Sequence, residues 1–175
     1  MKAELPVEDD WVGFELRPET PLEGLLLADR FPEPELKRIY ENLRRMGAPL
    51  GIVFGEVSVT PNSHLALEAA EYARDHGRFE SFHERTFRAY FNEGRDIGKI
   101  DVVLDLARED DLDPRDLAEA LRGRRFSQRL IDARREGERL GVRAVPTFII
   151  DDKHTIVGVQ PLEVMRDRLR QIAAR

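Results

Sequence analysis

The chain offers chemistry without the commonest nucleophile and soft metal ligand, because it contains no cysteine. Dithiol exchange, disulfides and thiolate metal sites are therefore excluded for these residues. His64, His76, His83 and His154 lack metal-site spacing. Glu80 and His83 would share a helix face as a Glu-x-x-His pair, but one copy without a second matching motif reads as a surface or core histidine. Ser58, Ser63, Ser81 and Ser127 lack the surroundings of a nucleophile elbow, and no Gly-rich phosphate loop is present. We expect no catalytic residue, no metal ligand and no cofactor among them.

What remains is a backbone that could bind. In residues 141–151, Gly-Val-Arg-Ala-Val-Pro-Thr-Phe-Ile-Ile-Asp, Thr147, Phe148, Ile149 and Ile150 suit a pleated, buried strand. Pro146 cannot donate to a ladder and belongs at the strand's first position. The backbone before it is then free of sheet duty. The Val145-Pro146 bond can take either isomer, and a cis bond would turn the chain sharply and expose the Val145 amide and carbonyl. Val145, Pro146 and Thr147 are the candidate substrate-binding residues, with an extended peptide or protein substrate pairing with the Val145 backbone by strand addition.

The elements that must position this loop follow from periodicity. Residues 11–16 alternate, with Val12, Phe14 and Leu16 on one side, which predicts a first strand ended by Arg17-Pro18. A proline-rich loop follows, with at most a helical turn at 25–29. Leu36, Ile39, Tyr40, Leu43 and Met46 fall on one helical face, with Pro34 in the first turn and Gly47 as a left-handed C-cap. Residues 51–60 fit either a loop or a short strand.

Ser63 is expected to cap a helix closed by Gly77, and Phe79, Phe82, Phe87 and Tyr90 continue at helical spacing toward Gly94 as structural core. A short helix around Val103 to Ala107 precedes one capped by Asp113-Pro114, and residues 126–140 form a longer helix stopped by Gly141. The proline strand then turns at Asp151-Asp152-Lys153 into a hairpin return at 155–159. A final helix starts at Pro161 and buries Leu162, Met165, Leu169 and Ile172.

Composition narrows the partners. The net charge is -6, and Arg122, Arg124, Arg125, Arg129, Arg134, Arg135, Arg139 and Arg143 are interleaved with Asp132, Glu136 and Glu138. A solvated helix face is the expected result, so nucleic acid is not an expected partner. No apolar run approaches the ~20 residues of a membrane span, and residues 1–6 lack the apolar core of a secretory signal. A cytoplasmic globular protein without a membrane partner is expected.

Several stretches together carry a family resemblance: Phe14-Glu15-Leu16-Arg17-Pro18 with Pro21-Leu22-Glu23-Gly24, Pro61-Asn62-Ser63, Ala89-Tyr90-Phe91-Asn92-Glu93-Gly94-Arg95-Asp96-Ile97, residues 141–151, and Gly158-Val159-Gln160-Pro161. The chain resembles the DsbA-like oxidoreductases of the thioredoxin superfamily, in particular the FrnE-like branch of this bacterial type. The resemblance implies an α/β (α+β) fold, an incomplete thioredoxin-like fold with an all-helical insertion. It would be a single domain over 1–175, with 11–18 and 142–175 as the thioredoxin-like part and about 33–125 as the insertion.

It also implies a cis proline facing a Cys-x-x-Cys pair on a preceding strand and helix, and thiol-disulfide oxidoreductase activity. The dithiol is absent here, and the implied strand would lie between those of residues 11–16 and Thr147. Three explanations are open: a true start codon further upstream, a natural remnant, or pairing supplied by another chain, which would make a homodimer. The expectation is a DsbA-like protein that is redox-inactive as this chain. The alternatives are a non-catalytic peptide-binding or chaperone-like module, or a relative of the glutathione-dependent isomerases and transferases.

Overall fold

The computed structural model describes Leu5 and residues 7–173. Apart from Leu5, the 1–6 stretch read above for a leader lies outside these residues. The fold is mostly helical, with two small sheets. The elements run β1 (Leu25–Leu26), a 3-10 turn (Leu27–Asp29), α1 (Glu33–Gly47), a second 3-10 turn (Ala48–Leu50), β2 (Val59–Thr60), α2 (His64–Asp75), α3 (Phe79–Phe91), α4 (Ile100–Glu109), α5 (Pro114–Arg122), α6 (Ser127–Arg139), β3 (Thr147–Ile150), β4 (His154–Val157) and α7 (Leu162–Ala173). Among the described residues no helix is long and apolar enough to cross a membrane.

The chain divides into two compact units, Arg17–Asp132 and Met1–Leu16 with Ala133–Arg175. The helical unit is wider than the insertion expected at about 33–125. Leu25 and Leu26 pair antiparallel with Thr60 and Val59, and that ladder draws the proline-rich entry into the unit. The residues expected as a turn of helix at 25–29 thus divide between a strand and a 3-10 turn.

The interior of the helical unit is apolar, a mix of aromatic and aliphatic side chains. Tyr72, Phe82, Val103, Leu106 and Leu117 are each no more than 1% exposed, and burying such side chains stabilises by about 1.5–3 kcal/mol each. Asp113 caps α5 as its sequence predicts, accepting from the Arg115 and Asp116 N–H groups, and Pro114 occupies the first turn, where no donor is needed.

Two other caps differ from expectation. Gly47 is helical (φ -76°), and the left-handed residue is Gly51, after the 3-10 turn. Gly47 is small for another reason, since a Cβ there would lie 2.9 Å from the Phe54 ring. Ser63 makes no side-chain capping bond. Its neighbour Asn62 accepts from the His64 N–H at 3.0 Å instead and donates to the Thr20 carbonyl.

In the other unit the strand expected at 11–16 does not form, and residues 7–15 carry no regular secondary structure. Alternating apolar residues express a preference for a pleated surface, but a strand exists only when a neighbour completes its ladder. The two sheets of the described residues do not include this segment. It is anchored through Phe14, whose ring lies where a Cβ on Gly137 would come within 2.6 Å. The hairpin does form, with β3 antiparallel to β4 and Phe148 opposite Ile156. Its return strand occupies His154–Val157 instead of 155–159, because Asp151 and Asp152 both adopt left-handed backbone (φ 49° and 54°) and Gly158 (φ 76°) ends the strand. Aspartate tolerates that conformation better than most residues.

Candidate functional site

The approach to the proline loop is set by the end of α6. The Gly141 N–H donates to the Glu138 carbonyl at 3.0 Å, and the Val142 N–H to the Gly137 carbonyl at 2.8 Å. With Gly141 left-handed at φ 76°, this is a Schellman cap, which satisfies the last carbonyls and turns the chain off the helix axis. A residue with a Cβ would be strained at Gly141, so the direction in which the chain leaves α6 depends on glycine there.

Beyond the cap, three contacts fix the loop. The Val145–Pro146 peptide bond is cis. The Thr147 hydroxyl donates to the Ala144 carbonyl at 2.7 Å, closing the loop across the proline. The Gly158 N–H donates to the Pro146 carbonyl at 2.8 Å, tying the proline to the far end of β4. Val145 stands out of this frame with 52% of its surface exposed, and its backbone makes no hydrogen bond among the described residues.

The three expected site residues are thus brought together, as one chain segment with Pro146 and Thr147 held and Val145 open. The part that sequence reasoning missed is Gly158. The Gly158-Val159-Gln160-Pro161 stretch was noted only as a motif, and its hold on Pro146 becomes visible once the hairpin register is known.

The other chemistry-bearing residues have structural duties. His83 is half-buried between Phe79 and Phe87, with ring centroids 5.6 and 4.6 Å away. Burial, with the nearby Arg74 charge, pushes its pKa below the usual imidazole range. Its intended companion Glu80 is exposed. The arginine run is largely engaged by neighbouring acids: Arg129 forks onto Asp75 at 2.8 and 3.0 Å, Arg134 meets Glu138 and Arg139 meets Glu136. The Arg129 guanidinium holds the Asp75 carboxyl below the usual carboxylate range.

Ser127 also has a partner, donating from its hydroxyl to Glu68, a carboxylate only 1% exposed that has His64 Nε2 at 3.5 Å. In this trio the buried carboxylate stands between serine and histidine, and the contact joins α2 to the start of α6. Tyr72 is similar, its hydroxyl donating to Asp116 at 2.9 Å. Burial and then the Asp116 carboxylate push the phenol up to about 12.

Comparison with known proteins gives one consistent answer. The domain family described as DSBA-like thioredoxin domain matches residues 7–170. The uncharacterized protein YwbO from Bacillus subtilis (strain 168) is 33% identical over 150 residues, an alignment covering 83% of this chain and 73% of that protein. The crystal structure of a probable DsbA oxidoreductase from Streptomyces coelicolor aligns with a TM-score of 0.85, covering 93% of this chain and 74% of its own. Its sequence is 20% identical, so that likeness speaks for the fold alone.

Proposed function

This chain belongs to the DSBA-like thioredoxin domain family, and from that premise we propose that it binds extended polypeptide at Val145-Pro146-Thr147 without itself exchanging disulfides. One observation carries the reading: the proline loop is intact and its Val145 backbone open, in a sequence with no cysteine. Disulfide exchange needs an attacking thiolate, and the bond it would form with substrate needs a sulfur on the enzyme. Backbone pairing needs only an exposed N–H and C=O in a fixed frame, which the bonds to Ala144 and Gly158 supply.

We place the chain in the FrnE-like branch, with support from Phe14-Glu15-Leu16-Arg17-Pro18 and Ala89-Tyr90-Phe91-Asn92-Glu93-Gly94. We also propose a cytoplasmic setting, in keeping with a chain that uses no disulfide. The test is reduction of insulin by dithiothreitol, followed by turbidity. The chain is expected to leave the rate at the uncatalysed background while slowing aggregation of the released B chain. Turnover above background would contradict the redox-inactive reading.

A further inference from the structure

The loop that presents Val145 also presents a cation. Exposure alternates along the approach to the proline: Gly141, Arg143 and Val145 are exposed, while Val142, Ala144 and Pro146 are half-buried. A period of two is what a chain shows when it offers alternate side chains to one side. Arg143 and Val145 are thus neighbours on the open side of the loop, two residues apart.

The surroundings of Arg143 differ from those of the arginines on α6. Arg129 is paired with Asp75, Arg134 with Glu138 and Arg139 with Glu136. The carboxylate of Asp152, in the turn of the hairpin, also acts on Arg139. Arg143 lies beyond the end of α6, and among the described residues no carboxylate stands within ion-pair distance of it. The charges before the loop are therefore largely balanced in pairs, and the guanidinium beside Val145 is left as a positive centre.

We infer that Arg143 selects the peptide: the loop takes an extended segment that carries an aspartate or glutamate two residues C-terminal to the residue paired with Val145. The inference rests on the peptide binding proposed above and names its substrate class. In an antiparallel pairing, the residue opposite Val145 is followed two positions later by the residue opposite Arg143, and both side chains project to the same face. Facing Cβ atoms lie about 4.5–5.5 Å apart, a separation that a guanidinium and a carboxylate bridge readily. The planar fork of arginine matches a carboxylate through two parallel hydrogen bonds. Val145, an apolar side chain 52% exposed, favours an apolar residue opposite itself.

The charge of the whole chain works the other way. At a net charge of -6, long-range repulsion disfavours an acidic peptide. A preference for the carboxylate must therefore arise locally, and it should follow Arg143.

The test uses the full chain and three fluorescein-labelled octapeptides, identical except for glutamate, glutamine or lysine two residues after a central valine. By fluorescence anisotropy at low salt, the glutamate peptide is expected to bind about two- to fivefold more tightly than the glutamine peptide, the range of an exposed ion pair. The lysine peptide is expected to bind most weakly, and the differences should shrink as salt is raised. Arg143→Gln is expected to abolish the advantage of glutamate over glutamine, and Arg143→Glu to turn the preference toward lysine.

Equal affinity of the unaltered chain for the glutamate and glutamine peptides would overturn the inference while leaving peptide binding in place. A glutamate preference that persists in Arg143→Gln would overturn it too. If none of the three peptides binds, the failure lies with the peptide-binding reading itself, and the inference falls with it.

Discussion

The two units of this chain differ in how much apolar interior they enclose. In Arg17–Asp132 Tyr72, Phe82, Val103, Leu106 and Leu117 are sealed, although Phe87 and Ile100 stay exposed, and even the carboxylate of Glu68 is enclosed with a donor. In Met1–Leu16 with Ala133–Arg175, Ile156 and Met165 are the buried hydrophobic residues among those described, while Val157, Val159 and Leu162 each leave more than half their surface open. The first pattern is that of a unit whose stability is its own. The second unit has little apolar interior of its own among the described residues. The open Val145 backbone lies in the second unit. The unit with the settled interior holds none of the proposed binding groups.

Substitutions can break or sharpen this contrast. The largest effect is expected for Phe82→Ala, which removes a fully buried ring and should cost about 3–5 kcal/mol. Phe148→Ala, on the half-open hairpin, should cost much less. Urea unfolding of the two variants measures the difference, and equal losses would erase it.

Ser127→Ala comes next. It strips the buried Glu68 carboxylate of its hydroxyl donor, for an expected loss of about 1–3 kcal/mol in the same assay.

Gly141→Ala forces a side chain onto a φ of 76° and should cost about 1–2 kcal/mol. Its signature should be faster amide exchange across 141–150, with α2 and α4 unchanged.

The smallest effect is a pH dependence confined to the helical unit. The folded pKa of Tyr72, about 12, lies above the ordinary value of 10.0. A raised folded pKa means the native state holds its proton longer than the unfolded one, so this contribution is intact below pH 10 and is lost as pH rises from 10 toward 12. Tyr72→Phe should flatten that decline in a melting series, while leaving the part due to Tyr90, whose phenol burial also pushes up to about 12.

The sequence was most informative where a local rule acts alone. The Asp113-Pro114 cap, the helical spacing of α1 to α7 and the Val145-Pro146-Thr147 loop each need only a few neighbouring residues to be recognised. The strand expected at 11–16 failed because strand formation depends on a neighbour the segment does not have in either sheet of the described residues. Gly47 misled because tight packing and left-handed backbone ask for the same residue, and here packing on Phe54 was the reason. Asn62 and Ser63 are both good caps, and only the geometry chooses between them. The contacts that hold the site and scaffold together could not be read locally: Glu68 and Ser127 are 59 positions apart, and Gly158 reaches Pro146 through the hairpin register.

Peptide binding at the proline loop is tested most directly by amide hydrogen exchange with and without reduced, alkylated insulin B chain. Slower exchange is predicted at Val145, whose N–H is outside the β3 ladder. Unchanged exchange at Val145, or protection confined to the helical unit, would contradict the account.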